Sequence, residues 1–329
     1  MRCVLVGNYG VGNIGDEALC EFFLHAFPDI EWTLVSGKRE AESGKCTVDS
    51  EMRTVVPRLP LGFRSLSSSW WRTISSIRHA DAIVFGGGSL FTDIESVWAC
   101  IIWRAYAVLA SFFHVPVLLA FQGAGPWKTS LGRRLSRATY LQAAYVSVRD
   151  SESLARLQSF GLPTPPVLTF DPAFALFAAH TRKQEGRRLV IIPRTHSDEK
   201  FFDAVRKKLT ENFSDVRILL MQPDANEKRV GEQLKELANR KAEIVELTSV
   251  VHFLEEVSGA AEVISQRYHG ALAAFAMEIP VHIVPQADAD KLAALHILTT
   301  QHLARETLLQ RVKTGVDSLQ LAIQGVSSL

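Results

Sequence analysis

The chain has 329 residues, 47% of them hydrophobic and 22% charged, with a formal net charge of +1 at pH 7. That length suits two domains of ordinary size. The near-neutral balance supplies no bulk field for nucleic acid or an anionic membrane, so partners must be argued from local sites. The cysteines (Cys3, Cys20, Cys46 and Cys100) lie in the first third without a Cys-x-x-Cys pair. Neither a disulfide framework nor a zinc site is expected, which fits a reducing compartment, and Cys3 reads as core.

The N-terminus enters a strand pattern at once, with no long apolar segment and cleavage site of a secretory signal, so a cytoplasmic location is expected. Short β-branched runs then alternate with longer helical ones, the pattern of βαβ units and a parallel sheet. Strands are predicted at 2–6, 32–35, 82–85, 117–120 and 145–148, and again at 189–192, 217–221, 243–245, 262–265 and 281–284. The polar stretch 178–188 lacks apolar periodicity and reads as a linker between domains at 1–177 and 189–329, with the last helix expected to pack back on the first domain. Two open, Rossmann-like parallel sheets in tandem predict a ligand cleft between them, at the carboxyl ends of the strands.

Two segments raise the question of a membrane. Residues 97–121 are the most apolar, but Arg104, His114 and Pro116 interrupt them, so a buried helix followed by a strand is expected. Ser65–Ser69 leads into Trp70, Trp71 and Arg72, which could touch a membrane or a lipid-linked acceptor; the preferred reading is an amphipathic helix with its tryptophans largely in the core.

Five stretches carry the chemistry, each just after a predicted strand. The first, Gly7-Asn8-Tyr9-Gly10-Val11-Gly12-Asn13-Ile14-Gly15-Asp16-Glu17, contains the letters of a dinucleotide fingerprint. Asp16 and Glu17 at the helix start would repel a pyrophosphate, and the second strand leads into Lys38-Arg39 where an acid is wanted, so a nicotinamide site is not expected. A tight turn with a capped helix is the plain alternative. In the second, Gly86-Gly87-Gly88-Ser89-Leu90-Phe91-Thr92-Asp93, the glycines imply something close to the backbone, Ser89 a donor, and Asp93 an acceptor for a sugar hydroxyl. The third is the tight loop Phe121-Gln122-Gly123-Ala124-Gly125-Pro126. In the fourth, Arg149 follows a strand and either faces the cleft or pairs with Asp171, while Asp150 or Ser151 caps the next helix.

The fifth is the sharpest. Ser265-Gln266-Arg267-Tyr268-His269-Gly270 joins a strand to an Ala-rich helix, putting Arg267 and His269 at a helix N-terminus. Free N–H groups beside a guanidinium suit a phosphate or carboxylate. The helix dipole disfavours the imidazolium form of a histidine there, which suits proton transfer near neutral pH. Arg194, after the second domain's first strand, is a further basic residue. Three arginines around one cleft would favour a small, densely anionic donor.

Taken in order, these motifs resemble the polysaccharide pyruvyl transferase family. The resemblance runs over residues 3–284 and comprises Gly12 to Glu17, the Gly-Gly-Gly-Ser loop, Gln122-Gly-x-Gly-Pro, Val148-Arg149-Asp150, Asp171-Pro172, and Ser265 to His269 with its Ala-rich helix and Pro280. It implies two GT-B-like domains facing across a cleft. The implied activity is transfer of a pyruvyl group from phosphoenolpyruvate to a sugar, giving a ketal. Arg149 and Arg267 would hold the donor's carboxylate and phosphate, joined by Arg194, and His269 would be the acid/base residue. Gly12, Asn13, Gly15, Asp16, Glu17, Gly87, Gly88, Ser89, Asp93 and Gln122 would line the loops on the acceptor side. The acceptor would be a glycan or a lipid-linked saccharide, with peripheral contact to the inner face of the membrane, and no metal or cofactor is expected. Where many relatives carry a Tyr-Asp-Pro-Lys-like segment, this chain departs from the pattern with Val284-Pro285-Gln286-Ala287-Asp288. Two other functions compete: a glycosyltransferase using a nucleotide-sugar, with Tyr268 stacking on the base, and a non-catalytic binding protein on the same fold.

Overall fold

The computed structural model describes residues 1–37, 53–59, 70–183, 186–286, 291–300 and 304–327. Cys46, Ser65–Ser69, Lys38-Arg39, Ala287-Asp288 and part of the expected linker (184–185) lie outside the described residues. Two compact units emerge: Met1–Val11 with Leu19–Pro172 and Leu308–Leu329, and Gly12–Ala18 with Ala173–Thr307.

The first unit is built on a seven-stranded, all-parallel sheet of order β3-β2-β1-β4-β5-β6-β7. Its strands are β1 (Arg2–Val6), β2 (Glu31–Ser36), β3 (Arg53–Pro57), β4 (Ala82–Gly88), β5 (Val117–Gln122), β6 (Tyr145–Val148) and β7 (Val167–Leu168). β4 and β5 are buried at every residue, as expected for parallel strands covered on both faces. β3 and β7 were not expected from sequence. Both are edge strands, one ending in Pro57 and the other two residues long, so neither shows a buried-strand pattern.

Helices α1 (Ile14–Ala26), α2 (Trp70–Arg78), α3 (Val97–Phe112), α4 (Ser130–Gln142) and α5 (Ser151–Gln158) link the strands. The apolar segment 97–121 is a helix followed by a strand, and no helix of the described residues is long and apolar enough to cross a membrane. Ser96 caps α3, and Asp150 caps α5 by accepting from Ser153 N–H at 2.6 Å. Trp71 departs from the core reading: it is 66% exposed, its ring centroid 3.7 Å from that of the half-buried Trp70 and tilted 30° to it. Thr73 and Ile77 form the buried face of α2, and Trp71 lies off that face. Burial pushes the Cys3 thiol up to about 12, consistent with a small core residue.

The second unit carries a five-stranded parallel sheet of order β10-β9-β8-β11-β12. Its strands are β8 (Arg188–Ile192), β9 (Asp215–Leu220), β10 (Glu243–Glu246), β11 (Glu262–Ser265) and β12 (Val281–Ile283). The helices are α6 (Ala173–Ala178), α7 (Glu199–Lys208), α8 (Ala225–Leu237), α9 (Val250–Ser258), α10 (Tyr268–Ala276) and α11 (Lys291–Thr300). The last helix, α12 (Arg305–Ser327), returns to the first unit from Leu308 onward. There Tyr145 Oη and Ser318 Oγ are 2.7 Å apart, and a Cβ on Gly315 would meet Phe121 Cζ at 2.7 Å. The helix therefore lies directly on β5.

The glycine run at the end of β4 has an internal explanation. Tyr9 Oη donates to Gly86 O at 2.6 Å, and a Cβ on Gly86 would meet Leu5 at 2.6 Å and Phe23 at 2.9 Å besides striking the Tyr9 hydroxyl. Gly87 and Gly88 adopt φ of 77° and 78°, the region side chains avoid. Gly86→Ala should therefore destabilise the first unit by about 1–3 kcal/mol, the cost typical of overpacking. Urea unfolding followed by tryptophan fluorescence measures this, and an unchanged midpoint would show that the core yields.

Candidate functional site

Strand order reverses between β8 and β11 in the second unit, and ligands in open parallel sheets bind outside the carboxyl ends of the strands flanking such a reversal. The two loops that leave this point contain Arg194 and Arg267, and hydrogen bonds knit them together. Gln266 N–H donates to Ile192 O at 3.0 Å, and its Nε2 donates to Asp198 Oδ1 at 2.9 Å; that same carboxylate caps α7. Ser265 Oγ accepts from Arg267 N–H at 3.1 Å and donates to Arg267 O at 2.8 Å, setting the turn.

Arg267 is the N-cap residue of α10 and lacks a capping side-chain bond. Its guanidinium is anchored instead. Nε donates to Pro193 O at 3.3 Å and to Glu227 Oε1 at 3.2 Å, and Nη2 donates to the same Glu227 oxygen. Nη1 makes no hydrogen bond among the described residues. Glu227 comes from the first turn of α8, has no exposed surface, and accepts from Gln222 N–H at 2.6 Å through its other oxygen. Burial pushes the Glu227 carboxyl above the ordinary range, and the Arg267 guanidinium pulls it back. Sequence reasoning missed Glu227, which lies in a polar helix forty residues before its partner. Breaking a buried pair by deleting one member costs about 3–5 kcal/mol, so the arginine's position is strongly determined.

His269 is the second residue of α10 and 9% exposed. The first-turn amides precede the first ladder bond, from Ala271 N–H to Arg267 O, so this end of the helix presents the positive pole of its dipole. The imidazole lies against Gly15: a Cβ there would strike Nδ1 and stand 2.6 Å from Cγ and 2.9 Å from Cε1. Gly15 belongs to the short segment Gly12–Ala18 of the same unit, where Ile14 N–H also donates to Met221 O at 3.0 Å just past β9. Asn13 caps α1, with Oδ1 accepting from Gly15 N–H at 3.1 Å and its carbonyl from Asp16 and Glu17 N–H. Those two acids sit in the first helical turn, a favourable place for negative charge. Gly12, at φ 84°, makes the turn and has open space around it.

Arg194 donates through Nη1 to Gln286 Oε1 at 2.9 Å, and Gln286 Nε2 donates to His196 O at 2.6 Å. The divergent segment after β12 thus braces the β8 loop. Lys291 Nζ lies 5.4 Å from the centroid of the Tyr268 ring, the ring proposed to stack on a base.

The first unit holds the remaining predicted residues. Arg149 is 3% exposed, with Nη1 on Asp171 Oδ2 at 2.6 Å and Nη2 on Ser89 Oγ at 3.0 Å, so the pairing with Asp171 is present. Gly123 makes room for this group, since a Cβ there would meet Ser89 Oγ at 2.6 Å and Arg149 Nη2 at 3.1 Å. Gln122 is buried and donates through Nε2 to the carbonyls of Phe85, Gly87 and Ala120, stitching β5 to β4. Asp93, expected to meet a sugar hydroxyl, is 4% exposed and has both oxygens engaged: Oδ1 accepts from Lys128 N–H at 2.6 Å, and Oδ2 from Thr129 N–H and Oγ1 at 2.8 and 2.5 Å. Its carboxylate organises the turn into α4. Among the described residues no group of three His, Cys, Asp or Glu side chains could hold a metal.

The polysaccharide pyruvyl transferase family model matches residues 13–287. The chain belongs to that family. As a transferase of this kind it acts in polysaccharide biosynthesis, and its fold recurs in solved structures. These include UDP-GlcNAc 2-epimerase from Rickettsia bellii (TM-score 0.61, 12% identity, covering 100% of this chain and 97% of that one). Another is the Neisseria meningitidis 2-epimerase bound to UDP-GlcNAc (0.57, 12%, 99% and 94%). Anabaena HepE in complex with UDP and glucose is a third (0.58, 11%, 100% of both). At such identities the likeness establishes the GT-B-type architecture of two parallel α/β units and nothing about substrate. A search of curated proteins found no match.

Two outcomes test this geometry. Gly15→Ala should raise local helix propensity yet displace the His269 ring, so circular dichroism stays native while the imidazole NMR resonances shift and transferase activity falls. Unmoved resonances would mean that Gly15 does not fix the ring. The Asp93 carboxyl is opposed by desolvation, but hydrogen bonds from Thr129 and Lys128 outweigh it and hold its pKa below the ordinary value. Its contribution to stability is therefore present above about pH 4 and lost as pH falls through the folded-state pKa. Asp93→Asn should lower stability at neutral pH, and its unfolding curve should converge on wild type in acid; a gap independent of pH would contradict this.

Proposed function

We propose that this transferase moves a pyruvyl group from phosphoenolpyruvate to two neighbouring hydroxyls of a glycan precursor, with the donor held in the second unit. The observation that carries the reading is the pairing of a fixed guanidinium and an imidazole in the first turn of α10, at the strand-order reversal of a sheet whose family is pyruvyl transferase. The Arg267 guanidinium, the positive pole of α10 and the Arg194 guanidinium give this site charge of one sign, which suits a molecule that carries a carboxylate and a phosphate on one carbon.

In the proposed reaction His269 delivers a proton to the methylene carbon of the donor. The central carbon gains oxocarbenium character, a sugar hydroxyl attacks it, and the same imidazole takes up the hydroxyl proton. Cleavage of the C–O bond releases phosphate, and a second hydroxyl closes the ketal as its proton leaves with the phosphate. Fixed cations orient the donor and stabilise the departing phosphate without reorganising. Glu227 acts as a positioning residue, holding Arg267 so that one face of the guanidinium points away from the pair.

A nucleotide-sugar transferase is the competing reading, because the solved structures of like fold include proteins bound to UDP-GlcNAc or to UDP and glucose. Calorimetric titration with phosphoenolpyruvate and with UDP-GlcNAc separates the two. Phosphoenolpyruvate should bind, and His269→Ala should keep that binding while losing about 10²–10⁴-fold in transfer rate, the range for a missing acid/base group. Binding of the nucleotide-sugar alone would overturn the proposal, and undiminished pyruvylation by His269→Ala would remove that residue from the mechanism.

A further inference from the structure

Helix α3 is the middle member of a helical layer in the first unit, flanked by α2 and α4. Its inner face is conventional, with Cys100, Trp103, Tyr106, Ala107 and Ala110 buried. At 100° per residue, Trp98, Ile101, Ala105, Val108 and Phe112 fall together on the opposite side. That is the outward face, and it carries no polar residue: Trp98 is 60% exposed, Val108 48% and Phe112 73%. Trp71 from α2 and Leu131 from α4, 66% and 49% exposed, belong to the same layer, as does Ile94 just before α3. Six of the ten exposed large apolar side chains among the described residues thus lie in or beside these three helices. Scattered singly they would need no account, but a continuous stripe calls for an occupant.

The charges indicate which occupant. The three helices contain Arg72, Arg78, Arg104, Arg133, Arg134 and Arg137 and not one Asp or Glu. Arg134 and Arg137 are exposed and form no ion pair among the described residues. A second copy meeting this face about a two-fold axis would set several arginines against several arginines, with the exposed Glu95 just before α3 too little to answer them. An apolar stripe with tryptophan at its edge and arginines on both flanks matches instead the boundary between acyl chains and anionic headgroups. We propose that the outer face of α2–α3–α4 docks peripherally on an anionic lipid surface, the exposed rings entering the interface and the flanking arginines meeting the headgroups. Such a surface suits an enzyme whose acceptor saccharide is lipid-linked. The inference does not rest on the donor assignment, because lipid binding is read without turnover.

Co-sedimentation of the full chain with phosphatidylcholine vesicles, with and without phosphatidylglycerol, tests it. The protein should pellet with the anionic vesicles, much less with neutral ones, and less as salt rises. Trp98→Ser with Phe112→Ser, and separately Arg134→Glu with Arg137→Glu, should each weaken binding about ten-fold or more. The second pair keeps the inference testable should the first fold poorly. Absence of wild-type binding to the anionic vesicles, or binding that neither pair alters, would overturn the proposal. A wild-type dimer in sedimentation equilibrium that Trp98→Ser with Phe112→Ser dissociates, with no vesicle binding, would assign the face to a second copy instead.

Discussion

The ion pair of the half-buried Arg267 with the fully buried Glu227 is the contact on which the geometry around α10 turns. A carboxylate with no exposed surface is tolerable only while a cation and a backbone N–H share it, so the guanidinium cannot swing away without stranding the acid. Because Arg267 is also the residue that opens α10, fixing its side chain fixes the direction in which the helix starts. Neighbouring groups inherit that constraint. Gln266 reaches the cap of α7, the arginine Nε reaches the carbonyl after β8, and the imidazole two residues on comes to rest against a glycine. A site that must hold a small donor in one orientation gains from such a pin, since small misplacements of positioning groups are costly in rate.

The first unit repeats the device with different parts. Arg149 follows β6 and is buried against Asp171 and Ser89, with a glycine clearing its space. In both units an arginine just past the strand next to a sheet edge is paired with an acid supplied by another segment of the same unit. Buried ion pairs contribute little net stability over apolar packing. The arrangement is better understood as holding charge in a defined place at the strand ends, where an open parallel sheet receives its ligands.

Much of this was legible in the residues, for identifiable reasons. β1, β6 and β11 have the bounds read from sequence, because each has an apolar, β-branched centre buried on both faces. The turn after β11 was readable because strand, polar tetrapeptide and Ala-rich run follow one another without interruption. Edge strands escaped notice, since β3 and β7 bury too little to leave a pattern. Asp93 and Gln122 resemble ligand-binding residues in sequence, yet both Asp93 oxygens and the Gln122 Nε2 are engaged, largely by backbone that the fold brings near. Glu227 left no local trace, and the reason for Gly15 stands more than two hundred and fifty residues away in His269. Trp71 ran the other way: an aromatic pair in an amphipathic helix suggests core, but the helix is short and has only one inward face.

The return of the final helix to the first unit has a consequence for how the molecule comes into being. The Phe121 and Tyr145 side of that sheet is completed by Gly315 and Ser318, almost two hundred residues later in the chain. During synthesis the larger sheet must wait with part of its apolar surface uncovered until the last turns emerge, while most of the smaller unit is already available to fold. An excised fragment ending at Pro172 would carry the same uncovered surface permanently. The first unit is therefore a domain in space but not one continuous stretch of chain, and it is whole only once α12 has been made.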